Sequence, residues 1–189
     1  MPKTTAKRKS PARALPGSKA ADATLARMLR VNQAGEYGAQ RIYAGQLAVL
    51  GDSDIGDEIR HMAAQEDVHL AAFNKLLVSE RVRPTVLQPI WHLAGFMLGA
   101  VTAAMGREAA MACTVAVEEV IVEHYEKQLP HLKQTRPDIA RQVQKFKDEE
   151  DEHREIGLHH DAEKAVAYPL LRRLIRTGSK TAIWLSERV

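Results

Sequence analysis

The chain has 189 residues, 45% hydrophobic and 27% charged, with a net charge of +3 and a pI near 9.0. That length suits one domain with a sizeable core, and so weak a positive balance does not indicate a nucleic-acid partner. The single cysteine, Cys113, excludes an internal disulfide and a cysteine-rich zinc site, and points to a reducing compartment.

Residues 1–22 read as a basic, disordered tail. Lys3, Lys7, Arg8, Lys9, Arg13 and Lys19 meet no acid before Asp22. The alternative is a mitochondrial transit peptide, but Leu15 alone cannot make the apolar face such a peptide needs. No secretory apolar run is present. The folded domain is expected over 23–189, all-α. Its first helix starts at Asp22 or Thr24, both usable caps, and runs to about Leu50, before Gly51. Leu25, Leu29, Tyr43, Leu47 and Leu50 mark its apolar face, and Glu36 falls on that face. A second helix runs from about Asp54 to Ser79, with Pro84 close behind as a stop. Its stripe is Ile59, Met62, Glu66, His69, Phe73 and Leu76.

From Val86 to Gly106 there is no formally charged residue. Counted from Ile90 the apolar run is about 17 residues, at the bottom of the membrane-spanning range. The helix is predicted to continue past Arg107 through Glu118 to Leu129. A spanning segment would strand Glu118 away from any bundle, so docking into a membrane interface or against a partner fits better. Gly95 and Gly99 allow close helix approach, although one such pair is a weak signal. Another helix begins near Pro137, with Ile139, Val143, Phe146, Glu150, His153 and Gly157 on one stripe. The final helix, Pro169 to Arg188, interleaves Leu170, Leu171, Leu174, Ile175, Ile183 and Leu185 with Arg172, Arg173, Arg176 and Lys180. That mixture suits an anionic lipid surface or packing against the bundle, without deciding between them.

The chemistry concentrates in two Glu-x-x-His motifs, Glu66 to His69 and Glu150 to His153, each preceded some thirty residues earlier by a Glu, Glu36 and Glu118. Residues three apart on a helix share a face, so each motif aims a carboxylate and an imidazole at one point. A Glu from each of two helices and a Glu-x-x-His from each of two others is the ligand set of a carboxylate-bridged di-iron centre in a four-helix bundle. Four carboxylates neutralise two divalent cations, which makes their burial tolerable, and carboxylates with imidazoles suit iron or manganese. The bare motif proves little, because fifteen Glu and eight His give roughly 0.6 matches by chance. A third copy, Glu58 to His61, has Met28 thirty residues upstream and lies about 80° off the core stripe, so it reads as surface. The two core-facing copies match further: Tyr43 follows Glu36 by seven residues, and Tyr125 follows Glu118 by seven. Spacing to His153 selects Glu150 over Glu149, and the Tyr selects Glu118 over Glu119. Tyr43, Tyr125 and His124 are candidates to hold the ligands by hydrogen bonds.

The runs Val31-Asn-Gln-Ala-Gly-Glu36-Tyr-Gly-Ala, Arg41-Ile-Tyr-Ala-Gly-Gln46, Arg81-Val-Arg-Pro-Thr85, Ala112-Cys-Thr-Val-Ala-Val-Glu-Glu119, Asp148-Glu-Glu150 with His153, and Leu185-Ser-Glu-Arg188 resemble the demethoxyubiquinone hydroxylases of ubiquinone biosynthesis. The resemblance covers about residues 25 to 189 and excludes the basic tail. It implies a ferritin-like bundle with additional apolar and amphipathic helices, and two iron ions. Glu36, Glu66, His69, Glu118, Glu150 and His153 would hold them, with Glu66 and Glu150 bridging and Glu36 and Glu118 at the ends. It further implies an O2-dependent monooxygenase that hydroxylates the ring of 5-demethoxyubiquinol, a polyprenylated benzoquinol. NADH or the quinol itself is the expected reductant, although no glycine-rich dinucleotide motif is present. A peripheral place on the cytoplasmic face of a bacterial inner membrane is expected, with the matrix side of the mitochondrial inner membrane as the alternative. A biosynthetic complex or a lipid-binding partner is part of the same expectation. The rival functions are a ferritin-like ferroxidase and a di-iron quinol oxidase.

Overall fold

The computed structural model describes residues 22–189, so the basic tail and the transit-peptide alternative lie outside the described residues. Among the described residues there are six α-helices and no strand. Helix α1 spans Ala23–Leu50, α2 Gly56–Ser79, α3 Gln88–Ala104, α4 Arg107–Thr135, α5 Pro137–His159 and α6 Tyr168–Ser186, with a 3-10 turn at Ala162–Lys164 before α6. Asp22 caps α1 by accepting the Thr24 N–H at 3.3 Å. Pro137 and Pro169 sit in the first turns of α5 and α6, where a missing N–H costs nothing.

The four bundle helices are α1, α2, α4 and α5. Contacts fix their directions: Gln40 reaches Asp67 and Gln33 reaches Asn74, so α1 and α2 run antiparallel. Tyr43 pairs with Glu118 and Asn32 with Gln128, so α1 and α4 are also antiparallel. Helix α3 is the long crossover that a ferritin-like bundle makes between its second and third helices. It lies parallel to α1, with Gly95 beside Gly38 and Gly99 beside Ile42.

The single helix expected from Ile90 to Leu129 is two helices. Gly106 adopts φ 119°, a conformation that ends α3 and that a residue with a Cβ would resist. The chain reverses there and α4 starts at Arg107, which frees Glu118 from the apolar segment and returns it to the bundle. Helix α4 also continues beyond Leu129 through Pro130 to Thr135. Only the one backbone bond that the Pro130 nitrogen would donate is lost, and Leu129 and Leu132 remain buried on either side.

The crossover is locked to α1 by glycines. A Cβ at Gly99 would lie 1.9 Å from the Ile42 carbonyl oxygen, and one at Gly45 would lie 2.1 Å from the Phe96 carbonyl oxygen. Helix α6 is held differently. Arg172 and Arg176 both bind Glu119, Arg176 also binds Glu123, and Lys180 binds Glu123 at 3.0 Å. Among the described residues no helix is long and apolar enough to cross a membrane.

The core has two apolar clusters at successive levels of the bundle. One contains Leu29, Phe73, Tyr125, Val143 and Phe146; the other contains Tyr43, Ile59, Met62, Met111 and Val115. Between these levels α1, α2, α4 and α5 carry Glu36, Glu66, His69, Glu118, Glu150 and His153. The period that packs the stripes therefore delivers a charged layer to the middle of the core.

Candidate metal centre

All six of these side chains are buried, none more than 1% exposed. They form two overlapping groups: Glu36, Glu66, His69 and Glu150, and Glu66, Glu118, Glu150 and His153. Within each group one candidate ligand atom per residue lies within 4.8 Å of the others. Glu66 and Glu150 belong to both groups, whereas Glu36 and Glu118 stand at opposite ends. Glu58 and His61, the third copy of the motif, are exposed.

Each imidazole turns Nδ1 to the cluster. His69 Nδ1 is 3.0 Å from Glu150 Oε1 and 3.4 Å from Glu36 Oε2. His153 Nδ1 is 3.1 Å from Glu150 Oε2 and 3.4 Å from Glu66 Oε1. The tyrosines cross over. Tyr43, on the helix of Glu36, donates to Glu118 at 2.8 Å, and Tyr125, on the helix of Glu118, donates to Glu36. His124 does not join them. It sits at 2.6 Å from the Gln128 side-chain nitrogen, in a separate network that ends on Asn32.

The sequence reading missed the residues behind the imidazoles. His69 Nε2 lies 2.9 Å from Glu149 Oε2, and His153 Nε2 lies 2.8 Å from Gln65 Oε1. Each partner immediately precedes the motif Glu on the facing helix. Their shared position was a usable signal, but it placed Glu149 only as a rejected rival of Glu150.

This layer is poorly balanced without cations. Glu36 Oε2, Glu118 Oε2 and both oxygens of Glu66 are buried with no hydrogen-bond partner, which is costly for groups of this kind. Burial, followed by repulsion from Glu150, pushes the Glu66 and Glu118 carboxyls well above the usual carboxylate range. Burial disfavours a charged His69, yet hydrogen bonds to Glu150 and Glu36 carry its imidazole up to about 10. Burial also works to raise Glu150, and hydrogen bonds from His153 and His69 overcome it, down to about 2. Protons thus occupy the charge-neutralising role that divalent cations can take, so metal uptake must release protons. Orphaned oxygens, convergent imidazoles and two shared carboxylates make a donor set that fits a pair of metal ions.

Beside this layer lies an apolar cavity of about 550 Å³ between α1, α3, α4 and α6. Ala39 and Ile121 line it, one helical turn beyond Glu36 and Glu118 respectively. Leu98 of α3 and Leu174 and Ile175 of α6 contribute the facing walls. At one end Trp91 donates to Ser186 at 3.0 Å and ties α3 to α6.

A family model described as ubiquinone biosynthesis protein COQ7 matches residues 23–186. The Bos taurus protein named NADPH-dependent 3-demethoxyubiquinone 3-hydroxylase, mitochondrial, is 55% identical, across 86% of this chain and 77% of its own length. The Rhodospirillum rubrum 3-demethoxyubiquinol 3-hydroxylase is 52% identical, across 93% of this chain and 83% of its own length. The Saccharomyces cerevisiae 5-demethoxyubiquinone hydroxylase, mitochondrial, is 40% identical, across 91% and 81% respectively.

Proposed function

The chain belongs to the ubiquinone biosynthesis protein COQ7 family, and from that premise we propose that it is a demethoxyubiquinone hydroxylase, a monooxygenase that adds one hydroxyl to the ring of a polyprenylated benzoquinol. The observation that carries this reading is an apolar cavity beside the buried carboxylate–imidazole layer, its wall one helical turn from Glu36 and Glu118. Iron storage has no use for such a cavity, which suits a ring bearing an isoprenoid tail. Residues 23–189 form the ferritin-like unit of this reading.

Glu36, Glu66, His69, Glu118, Glu150 and His153 would hold two iron ions, with Glu66 and Glu150 shared between them. Iron held there would supply the O2 chemistry that puts one oxygen atom into the ring and releases the other as water. The chain's own residues prepare that chemistry. Tyr43 and Tyr125 fix the terminal carboxylates by hydroxyl donation from the opposite helix, and Glu149 and Gln65 fix the imidazole planes. The apolar walls exclude water from the ring. Two electrons come from a reduced nicotinamide nucleotide or from the quinol; the bovine relative's name specifies NADPH where NADH was expected.

The same reading places the enzyme peripherally on a membrane, where its substrate dissolves. Ile90, Leu93, Met97 and Val101 of α3, Met105 just after it, and Leu170, Leu174 and Trp184 of α6 are exposed large apolar side chains. Arg173, Lys180 and Arg188 are exposed near them, a composition that suits anionic lipid. A lipid-binding partner protein in a biosynthetic complex would use the same surface. The membrane is the cytoplasmic face of a bacterial inner membrane, or the matrix face of the mitochondrial inner membrane if the chain is mitochondrial. Quinones extracted from cells lacking the protein test the activity: demethoxyubiquinone accumulates under this reading, and unchanged ubiquinone overturns it.

A further inference from the structure

The layer is built almost as two equivalent halves. Glu36 answers Glu118, Glu66 answers Glu150, His69 answers His153, and Tyr125 answers Tyr43. The correspondence fails at one pair. Behind His69 stands the carboxylate of Glu149, and behind His153 stands the neutral amide of Gln65. Both accept from Nε2 at nearly the same distance, 2.9 and 2.8 Å, so geometry is matched while charge is not.

Glu149 is placed to keep that role. Its Oε1 is occupied by Lys145 at 2.9 Å, which leaves Oε2 for His69. The His69 ring is further held against Phe146, with centroids 4.1 Å apart. A carboxylate that accepts the far N–H makes an imidazole a stronger donor at its other nitrogen than an amide oxygen does. Glu149, ion-paired to Lys145 on its outer side, also puts a carboxylate behind one end of the layer where the other end has an amide.

Building on the assignment of the six residues as metal ligands, we propose that Glu149 is a positioning residue that makes the two metal positions unequal. The position bounded by Glu36, Glu66, His69 and Glu150 is the tight one and fills first. The position bounded by Glu66, Glu118, Glu150 and His153 is the weak one and fills second. Sequential filling gives the enzyme a stable one-metal form and lets the second ion alone switch the centre on.

The test is an anaerobic Co(II) titration of the metal-free full-length protein, followed by visible absorption and calorimetry. Wild type should bind two ions in two resolved steps. Glu149→Gln keeps the shape and removes the charge; it should weaken the first step by about 10- to 100-fold, so that the two steps merge. Gln65→Glu should tighten the second step and also bring the two together. Two equal wild-type affinities, or a Glu149→Gln protein whose steps stay unchanged or weaken equally, overturns the proposal while leaving the ligand assignment intact. A wild-type protein that binds no Co(II) overturns the ligand assignment and this inference together.

Discussion

Two regions of this molecule break the ordinary rule of burial in opposite directions. The middle of the bundle hides four carboxylates and two imidazoles, with several oxygens unpartnered. The cover formed by α3 and α6 shows large apolar side chains to the outside, Leu93 at 64% and Leu174 at 61% exposure. Each would be a defect in a chain folding only for stability. Together they fit the proposed function, in which cations occupy the interior and an apolar phase meets the surface. The apolar cavity lies between the two regions, with Ala39 and Ile121 of its wall one helical turn from Glu36 and Glu118.

The interior depends most on Glu66, whose two oxygens are buried with no hydrogen-bond partner. Glu66→Ala should abolish tight metal retention and reduce hydroxylation to background, read by iron content and by chromatography of quinone products. The same change removes a buried polar group that stability alone does not need. The metal-free variant should therefore melt no earlier than the metal-free wild type, because the change removes a buried carboxyl whose oxygens have no hydrogen-bond partner. Full iron content and turnover in this variant would sink the ligand assignment.

The cover gives the second test. Leu93→Glu with Leu174→Glu should leave the melting temperature nearly unchanged, since neither side chain is buried. Flotation with anionic phospholipid vesicles should fall by about 100-fold, the loss expected when two leucines no longer enter an apolar phase. Undiminished vesicle binding would show that the apolar face is not the membrane surface. A smaller effect separates the cover's two helices. Gly99→Ala drives a Cβ into the Ile42 carbonyl and should cost about 2–3 kcal/mol in denaturant unfolding. Arg172→Ala breaks part of the ion cluster that holds α6 and should cost less than about 1 kcal/mol.

The interior was far more legible in the sequence than the cover. The burial and convergence of the six candidate ligands could be read because a helical period puts each on a core-facing stripe, on α2 and α5 the ones marked by Ile59, Phe73, Val143 and Phe146. The crossover gave no such signal. From Ile90 to Met105 nearly every position is apolar, so no stripe shows which side meets α1, and an isolated glycine at 106 looks tolerable inside a helix. Only the reversal at Gly106 reveals that α3 is a connection and not part of the bundle. Glu149 escaped for a different reason. Its partner lies 80 residues away on α2, and no local periodicity encodes that contact. His124 was drawn toward the centre by its proximity to Tyr125 in sequence, whereas one residue along a helix is a turn of about 100°.

His124 supplies the finest test of what the interior tolerates. The layer holding it is also polar and largely buried, yet it is satisfied by protein alone. Asn32 donates to Gln128 at 2.9 Å, Gln128 returns a bond to Asn32 at 2.7 Å, and its second N–H faces His124 Nε2 at 2.6 Å. Nε2 must accept in this arrangement, so the ring is neutral. Burial, helped by the charge of Lys127, lowers the His124 imidazole to about 4. A base depressed in the folded state binds fewer protons there than in the unfolded chain, so its contribution is complete above the ordinary value near 6.5. It is lost as pH falls from that value toward 4. The metal-free protein should lose on the order of 3 kcal/mol across that window through this residue. His124→Gln should remove that part of the slope, seen as a smaller wild-type-minus-variant difference at pH 4.5 than at pH 7 in paired urea titrations. A difference that stays constant with pH would mean that the ring already titrates normally, and that the satisfied layer is as open to protons as the surface.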